Sequence, residues 1–218
     1  MDQPTIQARV NHGNAIATRF LGAPFTQYRP TSVTNPVSGT PVATLQCAFD
    51  PDAAFSFAKP SGYSKPIYYG LFDGTNVRVG DYLVSATQGT FFTAGYEPIK
   101  PWLCVSCNRV MTFTRAAAPA STGLDPIYSG ATQATDTLLL TGWPASCLAG
   151  TKGERGPSSI QLPGDVKLPW WAILLPAYPG VILNMGDRAS DDLGRHYIIS
   201  SAEQTSLGWR LTAELAST

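Results

Sequence analysis

Apolar residues in the first stretch, TIQARVNHGNAIATRFL at 5–21, fall at Ile6, Val10, Ala17, Phe20 and Leu21. That spacing is one face of a helix. Gly13 weakens it by about 1 kcal/mol relative to alanine, and Gly22 with Pro24 ends it. The pattern therefore predicts an N-terminal helix over 1–22. Beyond it the helical period disappears. Residues 23–66 hold prolines at 24, 30, 36, 41, 51, 60 and 66 and read as a Pro-rich extended arm, with FTQYRP and VATLQCAFD as strands between the breakers. The stretch DPDAAFSFAKPSGYSKP reads as a surface loop with aromatic anchors at Phe55, Phe57 and Tyr63. It packs either on another chain or within its own.

From residue 67 the chain alternates apolar and polar positions between turn residues. IYYGLF, VRVGDYLVSA, GTFFTAGYEPI and WLCVSCNRVMTFTR predict a first β unit over 67–115, closed by one long strand. Residues 116–169 hold a small, polar linker and a Gly-rich loop, and between them the short apolar run TLLLTGWPASCLAG is either a strand or a helix. Residues 170–218 predict a second β unit.

The two units match each other. Tyr69 and Leu71–Phe72 correspond to Trp171 and Ile173–Leu175. Val77, Val79, Gly80 and Asp81 correspond to Leu183, Met185, Gly186 and Asp187. Gly89 with Phe91–Phe92 corresponds to Gly194 with His196–Tyr197, Glu97 to Glu203, and Trp102 to Trp209. Glycine before aspartate suits a tight turn, because glycine accepts a positive φ and the aspartate accepts nearby backbone N–H bonds. The aromatic-rich strand that follows supplies core volume. The expected fold is mainly β: two tandem small antiparallel barrel or sandwich units, a short N-terminal helix and a Pro-rich arm. The repeat anchors are Gly80, Asp81, Gly89 and Trp102 in the first unit and Gly186, Asp187, Gly194 and Trp209 in the second. A unit of this size buries too little surface to be stable alone, so the two are expected to share a core or pack on partners.

Composition narrows the function. Only 14% of residues are charged, and 15 basic residues balance 15 acidic ones. A surface with so few charges is poorly protected against association. Subunit contacts are expected at Phe20, Leu21, Phe55, Phe57 and Tyr63. No run of Lys and Arg grips phosphates, so DNA passage without specific binding is compatible, and tight binding is not expected. No stretch has the length and apolarity of a membrane helix. The start, MDQPTIQARV, carries an acid and no apolar run, so a cytosol-like compartment is expected.

Chemical signatures are sparse. Cys104 and Cys107 have C-x-x-C spacing, but on a strand the two side chains point to opposite faces. His12 and His196 are distant in sequence, which disfavours a zinc set. No G-x-S-x-G elbow, P-loop or dinucleotide fingerprint occurs. Asp191, Asp192 and Glu203 are the available carboxylates for glycosidase chemistry, and the first two read as a solvated turn before Gly194. No enzyme, metal or cofactor is expected. A stacking platform for carbohydrate from Trp143, Trp170 and Trp171 is the alternative binding reading.

The stretch LNMGDRASDDLGRHYIISSAEQTSLGWRLTAELA resembles the C-terminal part of head–tail joining (neck) proteins of tailed bacteriophages. Met185, Gly186, Asp187, Gly194, Tyr197, Ile198, Ile199, Trp209 and Leu211 carry the likeness. The resemblance implies a structural virion protein forming an oligomeric ring at the head–tail junction, as neck, connector or adaptor. Its partners would be copies of itself and portal or tail proteins, and it would be assembled in the host bacterial cytoplasm. A tail or baseplate component, or a receptor-binding module of the tail tip, is the alternative within the same setting.

Overall fold

A computed structural model describes residues 2–52, 65–116, 136–150 and 170–216. Among them are one helix, α1 (Gln3–Leu21), and twelve strands. Strands β1 (Ala23–Tyr28), β2 (Ala43–Asp50), β3 (Ile67–Leu71), β4 (Tyr82–Ser85), β5 (Gly89–Gly95) and β6 (Trp102–Cys107) close one antiparallel barrel in the order β1-β2-β3-β6-β5-β4. Strands β7 (Arg109–Arg115), β8 (Thr137–Ala149), β9 (Trp170–Leu175), β10 (Arg188–Asp191), β11 (His196–Thr205) and β12 (Gly208–Leu215) close a second in the matching order β7-β8-β9-β12-β11-β10. Closure leaves neither sheet with an open edge.

The expected pair of tandem barrels and the N-terminal helix are present, but the repeat is longer than its anchors suggested. In the 23–66 stretch the expected strands at FTQYRP and VATLQCAFD are present as β1 and β2, but they are staves of the first barrel and not parts of a separate arm. The 116–169 stretch is not only a linker, because it supplies β8. The long strand predicted to close the first unit is broken at Asn108. Its second half, β7, is the opening strand of the second barrel. The barrels are thus joined through a single residue. Asn108 Nδ2 donates to the Cys147 carbonyl at 3.0 Å, and its Oδ1 accepts from the Cys147 amide at 2.7 Å, so the joint is pinned to β8.

Cross-strand register fixes which residues correspond. Leu83 pairs with Phe91, and Ala189 with Tyr197, 106 residues later in each case. Phe91 therefore corresponds to Tyr197, one residue away from the match read in the sequence. Both rings make the same edge contact, Phe91 with Tyr68 at 5.5 Å and Tyr197 with Trp171 at 5.9 Å between centroids. The last anchor also shifts. Each barrel carries a bulge between its fifth and sixth strands, after Thr93 and after Ile199. Counted from the residues paired there, Cys104 and Ala213, Trp102 occupies the place of Leu211. Trp209 lies two residues earlier, on a part of the β11–β12 hairpin that is longer than its counterpart. Both indoles are buried, as closing-strand residues in a core should be.

Two apolar clusters follow. Phe25, Cys47, Phe72, Leu83, Trp102 and Cys104 fill the first barrel. The second cluster joins the interior of the second barrel to residues of the first, namely Tyr82, Phe92, Ala94 and Val105. The barrels therefore share a core, and burial of this apolar surface binds them into one body. Tyr82 caps the contact. Its ring meets Trp143 edge-on at 6.1 Å and its hydroxyl donates to the Pro144 carbonyl at 2.8 Å.

The β1–β2 loop crosses onto the second barrel as an extended segment. Thr34 bridges Thr141 in parallel. Asn35 N donates to the Thr141 carbonyl at 2.8 Å, while Thr141 N and Trp143 Nε1 donate to the Val33 carbonyl at 3.0 and 2.7 Å. Gly142 permits this approach: its φ is +70°, and a Cβ there would lie 1.7 Å from Asn35 Oδ1. Helix α1 does not stand free. It packs along β2 and β3, with Thr18 buried and Gln7 Oε1 accepting from the Ile99 amide at 2.7 Å. No described helix is long and apolar enough to cross a membrane.

Candidate functional site

Each barrel is pinned by the same device at the Gly-Asp turn. Gly80 and Gly186 have φ of +91° and +89°, the left-handed region that glycine enters without a Cβ penalty. Their amides donate to the carbonyls of Thr93 and Ile199 at 2.8 Å, and the carbonyls of Asp81 and Asp187 accept from the amides of those residues at 2.9 Å. The aspartate side chains turn inward and are buried. Asp81 takes a two-point bond from Arg29, Nε to Oδ1 at 2.8 Å and Nη2 to Oδ2 at 2.7 Å. Asp187 takes the same from Arg115, at 2.8 and 2.9 Å. Each arginine also donates to a turn carbonyl, Asn76 or Ile182. Each aspartate accepts from a turn amide, Arg78 or Asn184. The Gly-Asp anchors are structural: they lock the last residue of β7, and the residue just after β1, to the turn before the fourth strand of each barrel. The charged hydrogen bond to Asp81 raises the Arg29 pKa, and the one to Asp187 raises that of Arg115.

Asp191 is not a solvated turn residue. It is buried, and its Oδ1 accepts from the amides of Leu193 and Arg195 at 3.0 and 2.9 Å. Its Oδ2 accepts from Arg195 Nε at 2.8 Å and from the Tyr197 hydroxyl at 2.9 Å. Burial alone would raise its pKa. The bonds from the Arg195 backbone and side chain, the Tyr197 hydroxyl and the Arg195 charge outweigh burial, and the pKa falls below the ordinary value. Arg195 in turn lies over the Trp171 ring, 4.8 Å from its centre. All polar capacity of this carboxylate serves the barrel end. Asp192 and Glu203 are exposed, and among the described residues Asp192 meets only the Val110 amide, at 3.4 Å.

The remaining sequence candidates separate. His12 on α1 and His196 on β11 are exposed on different elements. Cys104 lies inside the first barrel, whereas Cys107 packs on its outer side against the second. Burial pushes the Cys47 thiol up to about 12 and raises Cys104, Cys107 and Cys147 as well, so these sulfurs stay protonated and unreactive near neutrality. Among the described residues no group of three or more His, Cys, Asp or Glu side chains is arranged to hold a metal. Trp143 is wholly inside the core, and Trp171 is half-buried beneath Arg195, so the proposed stacking platform does not form. Phe20 and Leu21 remain 86% and 74% exposed at the end of α1. Phe55, Phe57 and Tyr63 lie outside the described residues.

The feature that sequence reasoning missed is the groove where the barrels meet, a cavity of about 980 Å³. Ile67, Phe92, Leu103 and Val105 form one wall, and Leu148, Leu174, Trp170 and Trp209 the other. It is built from outward-facing residues of two barrels whose relative placement no local pattern encodes. Comparisons with protein-family models, curated proteins and solved structures give no match to the chain.

Proposed function

We propose that this chain is a structural subunit of a tailed-bacteriophage virion, forming an oligomeric ring at the head–tail junction and acting through protein–protein contacts. The observation that carries this reading is the end of α1. Phe20 and Leu21 project almost fully exposed from a helix that is otherwise anchored to the first barrel. Two adjacent large apolar side chains held on a rigid element are what a subunit contact uses. The doubled barrel suits such a role. It is a stiff body with a shared core, one-residue joint and no sheet edge left to aggregate. The low charge and zero net charge fit a lining that lets DNA pass without gripping it. Partners are copies of the chain and neighbouring portal or tail proteins, with assembly in the host cytoplasm and residence in the virion.

The test is the mass of the purified chain by light scattering, with negative-stain images of the same sample. Closed rings of uniform copy number that fall apart in the Phe20→Ser, Leu21→Ser double variant support the reading. A monomer at all concentrations up to those of a crowded assembly site removes it.

A further inference from the structure

The groove between the barrels has chemistry of its own. Its floor is apolar, and its rim carries hydroxyls at Ser200, Ser201, Thr205 and Thr212. Two cations, Lys65 and Arg210, line it, and none of its described lining residues is acidic. Among the described residues neither cation makes an ion pair, although Glu203 stands opposite Arg210 in the β11–β12 register. Trp209, 4% exposed, also lines the groove, and its Nε1 is buried without a hydrogen-bond acceptor. A buried donor left unpaired costs about 1–3 kcal/mol; this nitrogen is closed off from solvent, so an acceptor in the groove relieves the cost only by drawing the indole toward it.

The chain already shows how such an indole is satisfied. Trp143, in the same barrel, donates to the carbonyl of Val33, which belongs to an extended segment laid against β8. From this precedent and from the charge of the rim, we infer that the groove is a docking site for an extended polypeptide segment of a partner protein. The segment carries aliphatic side chains for the floor and acidic residues for Lys65 and Arg210, and one of its carbonyls accepts from Trp209. The chain's own helix is a poor occupant, because the basic residues Arg9 and Arg19 flank its apolar face. The cavity volume lies in the range of sites that enclose a ligand largely preformed. This docking stands whether or not the chain forms rings.

The test uses capped eight-residue peptides in which Val or Leu alternates with Thr and both ends carry Glu or Lys. Binding is followed by peptide anisotropy and by the emission of the groove tryptophans. In low salt the Glu-ended peptides bind at least about tenfold tighter than the Lys-ended ones, and Arg210→Glu removes or inverts that preference. Trp209→Phe, which keeps a ring but deletes the N–H, weakens binding by about threefold to tenfold. Arg210 is exposed, so its variant folds even if Trp209→Phe does not, and circular dichroism checks both. Failure of every peptide to bind, equal binding of the two series, or binding of dodecanoate in place of any peptide overturns the assignment.

Discussion

Arg115 and Asp187 meet in a two-point ion pair that reproduces, bond for bond, the pair between Arg29 and Asp81. Each arginine ends or follows the first strand of its barrel, and each aspartate follows the glycine of the turn before the fourth. The pair closes the barrel where these strands adjoin. Asp81 and Asp187 are buried while the arginines are about one-third exposed, so solvent screens part of the attraction. Asp81→Ala and Asp187→Ala are each expected to cost about 2–4 kcal/mol, because each leaves a guanidinium and turn amides without their acceptor. Arg→Lys at either position costs less but is not neutral, since an ammonium cannot make the two-point bond. Urea unfolding measures all four.

The first-strand arginines were invisible to the sequence comparison for a physical reason. Arg29 and Arg115 are 86 residues apart, whereas Asp81 and Asp187 are 106 apart. Loops of unequal length separate the early strands, so no constant offset spans the repeat. The Gly-Asp turn and the aromatic strand after it were legible because short hairpins conserve spacing. The prolines around β1 and β2 left those strands legible but set them apart as an arm, and the apolar run that becomes β8 did not by itself distinguish strand from helix. Placement of the groove depends on how two closed surfaces meet, which periodicity within a strand does not carry.

Trp102→Ala and Trp209→Ala are each expected to destabilise by about 3–5 kcal/mol, as large-to-small changes in a core. The two sites differ in neighbours. Trp102 packs within the first barrel, against Phe72 and Tyr96, whereas Trp209 belongs to the cluster that joins the barrels. Loss of Trp209 should therefore also loosen the interface, seen as increased dye binding or proteolysis below the melting transition. Unchanged melting in both variants contradicts the burial of these rings.

Gly142→Ala should separate the β1–β2 loop from the second barrel. The new Cβ meets the flexible Asn35 side chain, so Asn35→Ala relieves the clash but not the strain of a positive φ. A double-mutant cycle is expected to recover part of a loss of about 2 kcal/mol or more and to leave about 1 kcal/mol. Full additivity would mean the loop does not lie against Gly142.

Acid should reveal the Asp191 network. Its pKa is lower folded than unfolded, so the stabilisation is complete above the unfolded value of about 4 and is lost as pH falls through the folded value. Asp191→Asn should lower the melting temperature at pH 6–7 and approach wild type as the pH falls through and below the folded value. A difference that persists unchanged in acid would show that the carboxylate charge contributes nothing.

The central claim is that one barrel plan, written twice, folds as a single cooperative body. Native-state amide exchange at Gly80 and Thr93 in the first barrel, and at Gly186 and Ile199 in the second, tests it most directly. These amides hold the equivalent turn bonds. All four are predicted to exchange with one free energy, equal to that of global unfolding. Exchange of one pair at a much lower free energy than the other would mean that the barrels open independently and would contradict the claim.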